Sequence, residues 1–173
     1  MRIRLAREGD AWGIAYVHTE SWKTTYRGIV PDHVLDFLTA ESRLAQWEQQ
    51  LRSDENDQIL IVAEDEEGKI VGFACGGKER EGQLTYDGEL YAIYLLQSHQ
   101  QSGIGRQLVK RVVQHLQTCQ IGNMIIWALE RNPACSFYEK MGGIPVHTQS
   151  IRIGDKDLVE IAYGWSDLAS FEA

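Results

Sequence analysis

The sequence predicts an α+β fold: a single domain, residues 1–173, on a mixed, mostly antiparallel sheet of six or seven strands with four or five helices around it. Three observations lead there. Short apolar runs rich in Val, Ile and Tyr recur between polar turns, as hairpin-paired strands require. Several longer stretches repeat their apolar residues at helical spacing. Between residues 90 and 129 one strand, helix, strand sequence supplies a crossover, and with it a parallel pair.

The elements follow in order. Ile3 to Ala6 suits a short strand, and Asp10 is placed to cap a helix that carries Ile14, Val17 and Trp22 inward. Pro31 opens a second helical stretch. Its apolar residues Val34, Leu35, Leu38, Leu44, Trp47 and Leu51 divide into two short helices, with Thr39 as the cap between them. Ile59 to Ala63, the acidic turn Asp65 to Gly68 and Ile70 to Ala74 form a hairpin. A polar loop from Arg80 to Gly88 leads into Leu90 to Leu96, a run too short and too rich in Tyr and Ile for a helix. From Ile104 to Leu116 an apolar stripe of Leu108, Val112, Val113 and Leu116 marks an amphipathic helix. Met124 to Leu129 reads as a buried strand. Pro133 starts a helix holding Phe137, Tyr138 and Met141, which Gly142-Gly143 ends. The tail reads as strand, turn at Gly154 to Asp157, and strand through Tyr163.

Composition narrows the classes of function. No apolar run approaches the ~20 residues that span a bilayer, so no membrane partner is expected. The N-terminus passes directly into the charged residues Arg7, Glu8 and Asp10, so a cleaved signal segment is not expected either. The three cysteines Cys75, Cys119 and Cys135 are widely separated and lack metal-ligand spacing, which fits free thiols in a reducing cytoplasm. A net charge of −8 argues against nucleic acid as the main partner and permits a cationic one. His18, His33, His99, His115 and His147 do not have the spacing of a metal site, and no metal is expected.

The segment Gln100-Gln101-Ser102-Gly103-Ile104-Gly105-Arg106 lies between a strand and the amphipathic helix. Backbone N–H groups clustered at a helix start, with little side-chain obstruction, form an anion site that suits a pyrophosphate. Two nucleotide motifs do not fit. A dinucleotide fingerprint would place a third glycine at Leu108, and a P-loop would follow Gly105 with Lys and then Ser or Thr, where the chain has Arg106-Gln107.

What fits is the acyl-coenzyme A loop of the GNAT superfamily of N-acetyltransferases, with Gln or Arg, two residues, Gly, one residue, then Gly or Ala. Gln100, Gly103 and Gly105 match it. The chain also resembles that family in the strand Glu89 to Leu95, in Asn132-Pro133-Ala134, and in Phe137 to Gly142. The resemblance covers most of the chain and is specific from about residue 88 to 143. The first third is a looser match, through its Trp residues and Tyr26-Arg27-Gly28. Gln97 and His99 depart from the proline and the aromatic that the family often carries, and leave the phosphate-facing positions intact.

The resemblance implies a GNAT-like fold whose central strands splay around acetyl-coenzyme A, with no metal. It implies that backbone groups of Ile93, Tyr94 and Leu95 meet the pantetheine arm and polarise the thioester carbonyl. The loop Gln100, Gln101, Ser102, Gly103, Ile104, Gly105 and Arg106 would hold the pyrophosphate, and Asn132 the pantetheine arm. Tyr138 matches the position that protonates the departing sulfur; from the residues alone it reads first as a helix tyrosine filling core beside Phe137, and the motif reverses that preference. Glu89, at the strand's entrance, is chosen as general base, against the reading of a solvated edge carboxylate, with Asp87 as its nearest substitute. Trp22 and Tyr26 are candidates for the acceptor wall, although an aromatic set in the first third also reads as core. The reaction implied is acetyl transfer to a primary amine, of a small molecule first, of a protein N-terminus or lysine second. A non-catalytic acyl-coenzyme A sensor is the third reading. A homodimer is carried by the resemblance alone.

Overall fold

A computed structural model of the chain describes residues 1–53 and 57–171. The strand-forming runs pair as a meander: β1 (Arg2–Leu5), β2 (Ile59–Glu64), β3 (Ile70–Lys78) and β4 (Gly88–Leu95) lie antiparallel in sequence order. The β2–β3 turn closes on Asp65, whose Oδ1 accepts the N–H groups of Glu67 and Lys69 at 2.9 Å each. Three further strands, β5 (Met124–Leu129), β6 (Ile144–Ile153) and β7 (Lys156–Trp165), complete a seven-stranded sheet of order β1-β2-β3-β4-β5-β7-β6. Among the described strands only β4 and β5 are parallel, as the crossover requires.

Five helices flank the sheet among the described residues: α1 (Ala11–Tyr26), α2 (Asp32–Asp36), α3 (Ala40–Leu51), α4 (Ile104–Thr118) and α5 (Cys135–Lys140). The apolar stripe of α4, Leu108, Val112 and Leu116, packs on Leu90, Met124 and Ile126 on one face of the sheet. Each such side chain contributes roughly 1.5–3 kcal/mol by leaving water. On the other face, Ile14 and Val17 of α1 and Trp47 of α3 pack on Val62 and Phe73. A third cluster of Tyr26, Ile29, Val30, Leu35 and Leu129 closes the end of that face.

Three local expectations are corrected. Asp10 precedes α1 but makes no side-chain cap; Arg4 takes its carboxylate at 2.6 and 2.9 Å, and an ion pair outcompetes a lone cap bond. Thr39 does cap α3, accepting the Ser42 N–H at 3.2 Å. The last helix begins at Cys135 rather than at Pro133, because Asn132 Oδ1 accepts the Ala134 N–H at 2.8 Å and makes a turn first. The β6–β7 turn is tighter than Gly154 to Asp157, since Ile153 already pairs with Lys156.

One irregularity positions everything that follows. β3 pairs Cys75 with Ala92 and then Gly76 with Leu90, so Tyr91 is an extra residue on β4. A bulge bends its strand and increases the local twist. Beyond it β4 leaves β5: the two pair only at Gly88 with Met124 and Glu89 with Ile125. Among the described residues no helix is long and apolar enough to cross a membrane.

Candidate active site

The splay opens a cavity of about 650 Å³ between β4 and β5, running from the N-terminal end of α4 to the inner side of α1. Ile93, Tyr94 and Leu95 line it, and their β5-facing backbone groups have no strand partner. Gln100 fixes the next loop to the strand end, its Nε2 donating to the Leu95 carbonyl at 3.1 Å.

That loop is shaped for an anion. Gln101 has φ +59 and Gly103 φ +82, two left-handed residues around Ser102 that turn successive amides to one side. Among the described residues no intramolecular acceptor meets the N–H groups from Gln101 to Arg106, and the partial positive charge of the α4 N-terminus adds to them. Gln100, Gln101, Gly103, Gly105 and Arg106 face the cavity. Ser102 and Ile104 do not: the Ser102 hydroxyl donates to the His99 carbonyl, and Ile104 is buried in the core. A second hollow of about 610 Å³ adjoins the first across Arg106, Lys140 and Met141 and reaches Trp165 and Phe171.

Tyr138 enters from α5. The glycine stop places it, since Gly142 has φ +86 and the Gly143 N–H donates back to the Tyr138 carbonyl at 2.9 Å. Its ring lies among Phe137 and Tyr163, and among the described residues its hydroxyl has no hydrogen-bond partner. Burial raises its pKa above the ordinary phenol value, so the group stays protonated. Asn132 is buried in the lining and donates from Nδ2 to the Tyr26 hydroxyl at 3.3 Å. Tyr26 lines the cavity as well, whereas Trp22 stands behind it, edge-on at 4.8 Å, and donates from Nε1 to the Tyr94 hydroxyl at 3.0 Å.

Glu89 is not brought to the cavity. Its carboxylate is buried and bound on both oxygens by Arg80, with the Arg80 backbone N–H at 3.2 Å as a third donor. Asp87 accepts no role there either; its contacts are with Asn123. Sequence reasoning missed Ser21, Thr24, Thr25, Tyr91 and Trp127 in the cavity lining. One signal was available for Ser21: a small polar residue at helical spacing from Ile14 and Val17, on the buried stripe of α1. Trp127 is a wall only because the sheet splays beside it.

Residues 19–143 match the Acetyltransferase (GNAT) family. The chain belongs to the GNAT acetyltransferase family. Across 170 residues this acetyltransferase is 35% identical to the uncharacterized N-acetyltransferase YuaI of Bacillus subtilis (strain 168), covering 98% of the chain and 95% of that protein. It is 26% identical over 156 residues to the L-amino acid N-acyltransferase MnaT of Escherichia coli (strain K12), covering 90% and 86%. Its fold superposes with TM-score 0.69 on the PaiA N-acetyltransferase of Thermoplasma acidophilum in complex with coenzyme A, at 21% identity, covering 92% of this chain and 96% of that one. The GNAT match takes in the α4 loop, Asn132 and Tyr138, the segments that line the cavity.

Proposed function

We propose that this acetyltransferase transfers the acetyl group of acetyl-coenzyme A to a primary amine of a small molecule by direct attack. One observation carries the reading: a single cavity joins an unfilled nest of amides at α4 to a hydroxyl- and aromatic-lined wall on α1 and β5, through the splay of β4. Acetyl-coenzyme A, when bound, supplies an acetyl group activated as a thioester. The chain fits it residue by residue. The amides of Gln101, Gly103, Gly105 and Arg106 would take the pyrophosphate charge, and the adjoining hollow offers the cations Arg106 and Lys140. Asn132 and the free backbone edge of Ile93 to Leu95 would orient the arm and hold the carbonyl, where fixed donors act on charge as it develops.

Tyr138 Oη donates a hydrogen bond to the departing sulfur. Because burial raises its pKa, it stabilises a thiolate by donation more readily than by complete proton loss. Among the described residues the lining contains neither a carboxylate nor an imidazole, so the amine reacts as its free base and releases its proton toward water at the open end. Such a lining also suits a long polycation poorly, which supports a compact acceptor. The three cysteines, unpaired among the described residues, support a reducing cytoplasm.

The test is amine-dependent thiol release from acetyl-coenzyme A over amino acids, alkyl amines, polyamines, aminoglycosides and short peptides, with an enzyme-only blank. Saturable turnover of compact amines is expected. Turnover confined to peptides would assign the enzyme to protein acetylation, and tight binding without turnover would assign it to sensing.

A further inference from the structure

Arg43 is a half-buried cation without a counter-charge among the described residues. It lies on α3 one turn before Trp47. Among the described residues it forms no ion pair, and its buried Nε has no acceptor. Its guanidinium stands 5.3 Å from the centre of the Trp22 ring. A cation–π contact returns only part of the hydration that burial removes, and burial accordingly lowers the Arg43 pKa.

The charge sits one ring behind the acceptor wall. Trp22 is bonded to the Tyr94 hydroxyl and packed on Tyr26, and both tyrosines line the cavity. The Arg43 charge is felt at Tyr94 and at His18. In a wall of low dielectric and without mobile ions, such a field is weakly screened. Among the described residues nothing in the lining offsets it, since no Asp or Glu is present there. The same wall holds Ser21, 2% exposed, whose Oγ has no partner among the described residues. A buried hydroxyl left unpaired is costly, and one that lines a cavity is accessible to a polar ligand atom.

We propose that Arg43 makes the acceptor end electropositive and that the acceptor is an amine that also carries a carboxylate, with Ser21 Oγ available to it as a hydrogen-bond partner. The proposal rests on the small-molecule reading above. A carboxylate is favoured over a more highly charged anion because a single cation stands behind this end of the cavity. Arg43 acts here through a field across the Trp22 and Tyr94 rings, as a specificity-determining residue outside the reacting atoms.

The experiment compares KM for an amino acid with KM for its carboxamide, each expressed per concentration of free amine, in the wild-type enzyme, Arg43→Gln and Arg43→Lys. The wild type is expected to favour the acid at least tenfold. Arg43→Gln should bring the ratio within about twofold while the acetyl-coenzyme A KM stays unchanged, and Arg43→Lys should keep most of the preference. A preference that survives Arg43→Gln, or a wild type that does not distinguish acid from amide, overturns the proposal and leaves small-molecule acetylation standing. Turnover confined to peptides or polyamines overturns both. The wild-type ratio and the lysine variant decide the matter even where Arg43→Gln does not fold.

Discussion

Arg80 binds Glu89 through two parallel bonds, Nη2 to Oε1 at 2.6 Å and Nε to Oε2 at 3.0 Å. The carboxylate side chain is 4% exposed and the guanidinium 56%, and Arg80 also lies over the Tyr91 ring at 4.2 Å. Glu89 thus sits where β4 and β5 still pair, as a buried anion that ties the 79–88 loop to the sheet just before the splay. Its lone pairs are engaged, and the cavity lies beyond it.

Glu89→Gln is therefore expected to act on stability first. The partner cation can return to water, so the loss is about 1–2 kcal/mol, below that of a fully buried pair. Turnover at saturating substrates should stay within about fivefold. Thermal melting alongside steady-state kinetics checks this; a hundredfold loss of kcat with an unchanged melting temperature would restore Glu89 as the general base.

Tyr138→Phe should leave the cavity walls in place, because the hydroxyl makes no bond among the described residues. Its contribution is then confined to the reaction. A fall in kcat well over tenfold is expected, with the acetyl-coenzyme A KM nearly unchanged, the pattern of an interaction made only in the transition state. Near-normal turnover in this variant would leave Tyr138 as a packing residue beside Phe137.

Gly103 separates two effects of a side chain. Its φ of +82 disfavours any L-residue by roughly 1–2 kcal/mol, yet a Cβ there would meet no protein atom within 4 Å. Gly103→Val should raise the acetyl-coenzyme A KM at least tenfold by narrowing the amide nest, and Gly103→Asn, which tolerates left-handed backbone, should do so less. Equal cofactor affinity in wild type and the valine variant, by calorimetric titration, would remove the nest from cofactor binding.

The hairpins, the strand-helix-strand crossover and the α4 helix were legible because each rests on local signals: short apolar runs between turns and a 3.6-residue stripe, with glycines at fixed offsets marking the loop before α4. The roles of Glu89 and Arg80 were not. Their pairing joins residues nine apart across a polar loop whose path no periodicity describes, so a carboxylate at a strand entrance looked available when it was already bonded. The acceptor wall was hidden for a related reason. Thr24, Tyr91 and Trp127 come together only after a bulge at Tyr91 turns β4 away from β5, and a bulge leaves no mark in a short apolar run. Asp10 was misjudged as a cap because Arg4, on the neighbouring strand, competes for it.

His18 links the acceptor wall to folding stability. It is 8% exposed, stacked on Tyr94 at 5.0 Å, and its Nδ1 faces the Trp47 Nε1–H at 3.3 Å. A nitrogen that accepts the indole N–H carries no proton of its own, so the ring is neutral with hydrogen on Nε2. Burial, followed by the charge of Arg43, pushes its pKa down to about 3 from the ordinary 6.5. Between those values the unfolded chain binds a proton at this site and the folded chain does not. Stability is thus lost as pH falls through the window, and the full contribution returns above pH 6.5. Between pH 7 and pH 4 this one group should remove about 3 kcal/mol. Urea denaturation at both pH values, in wild type and in His18→Gln, isolates it from the carboxylates that titrate lower. The variant should be the less stable protein at pH 7 and should lose correspondingly less on acidification. Parallel losses in the two proteins would mean that folded His18 titrates near its ordinary value, and that the pocket under Tyr94 is open to water.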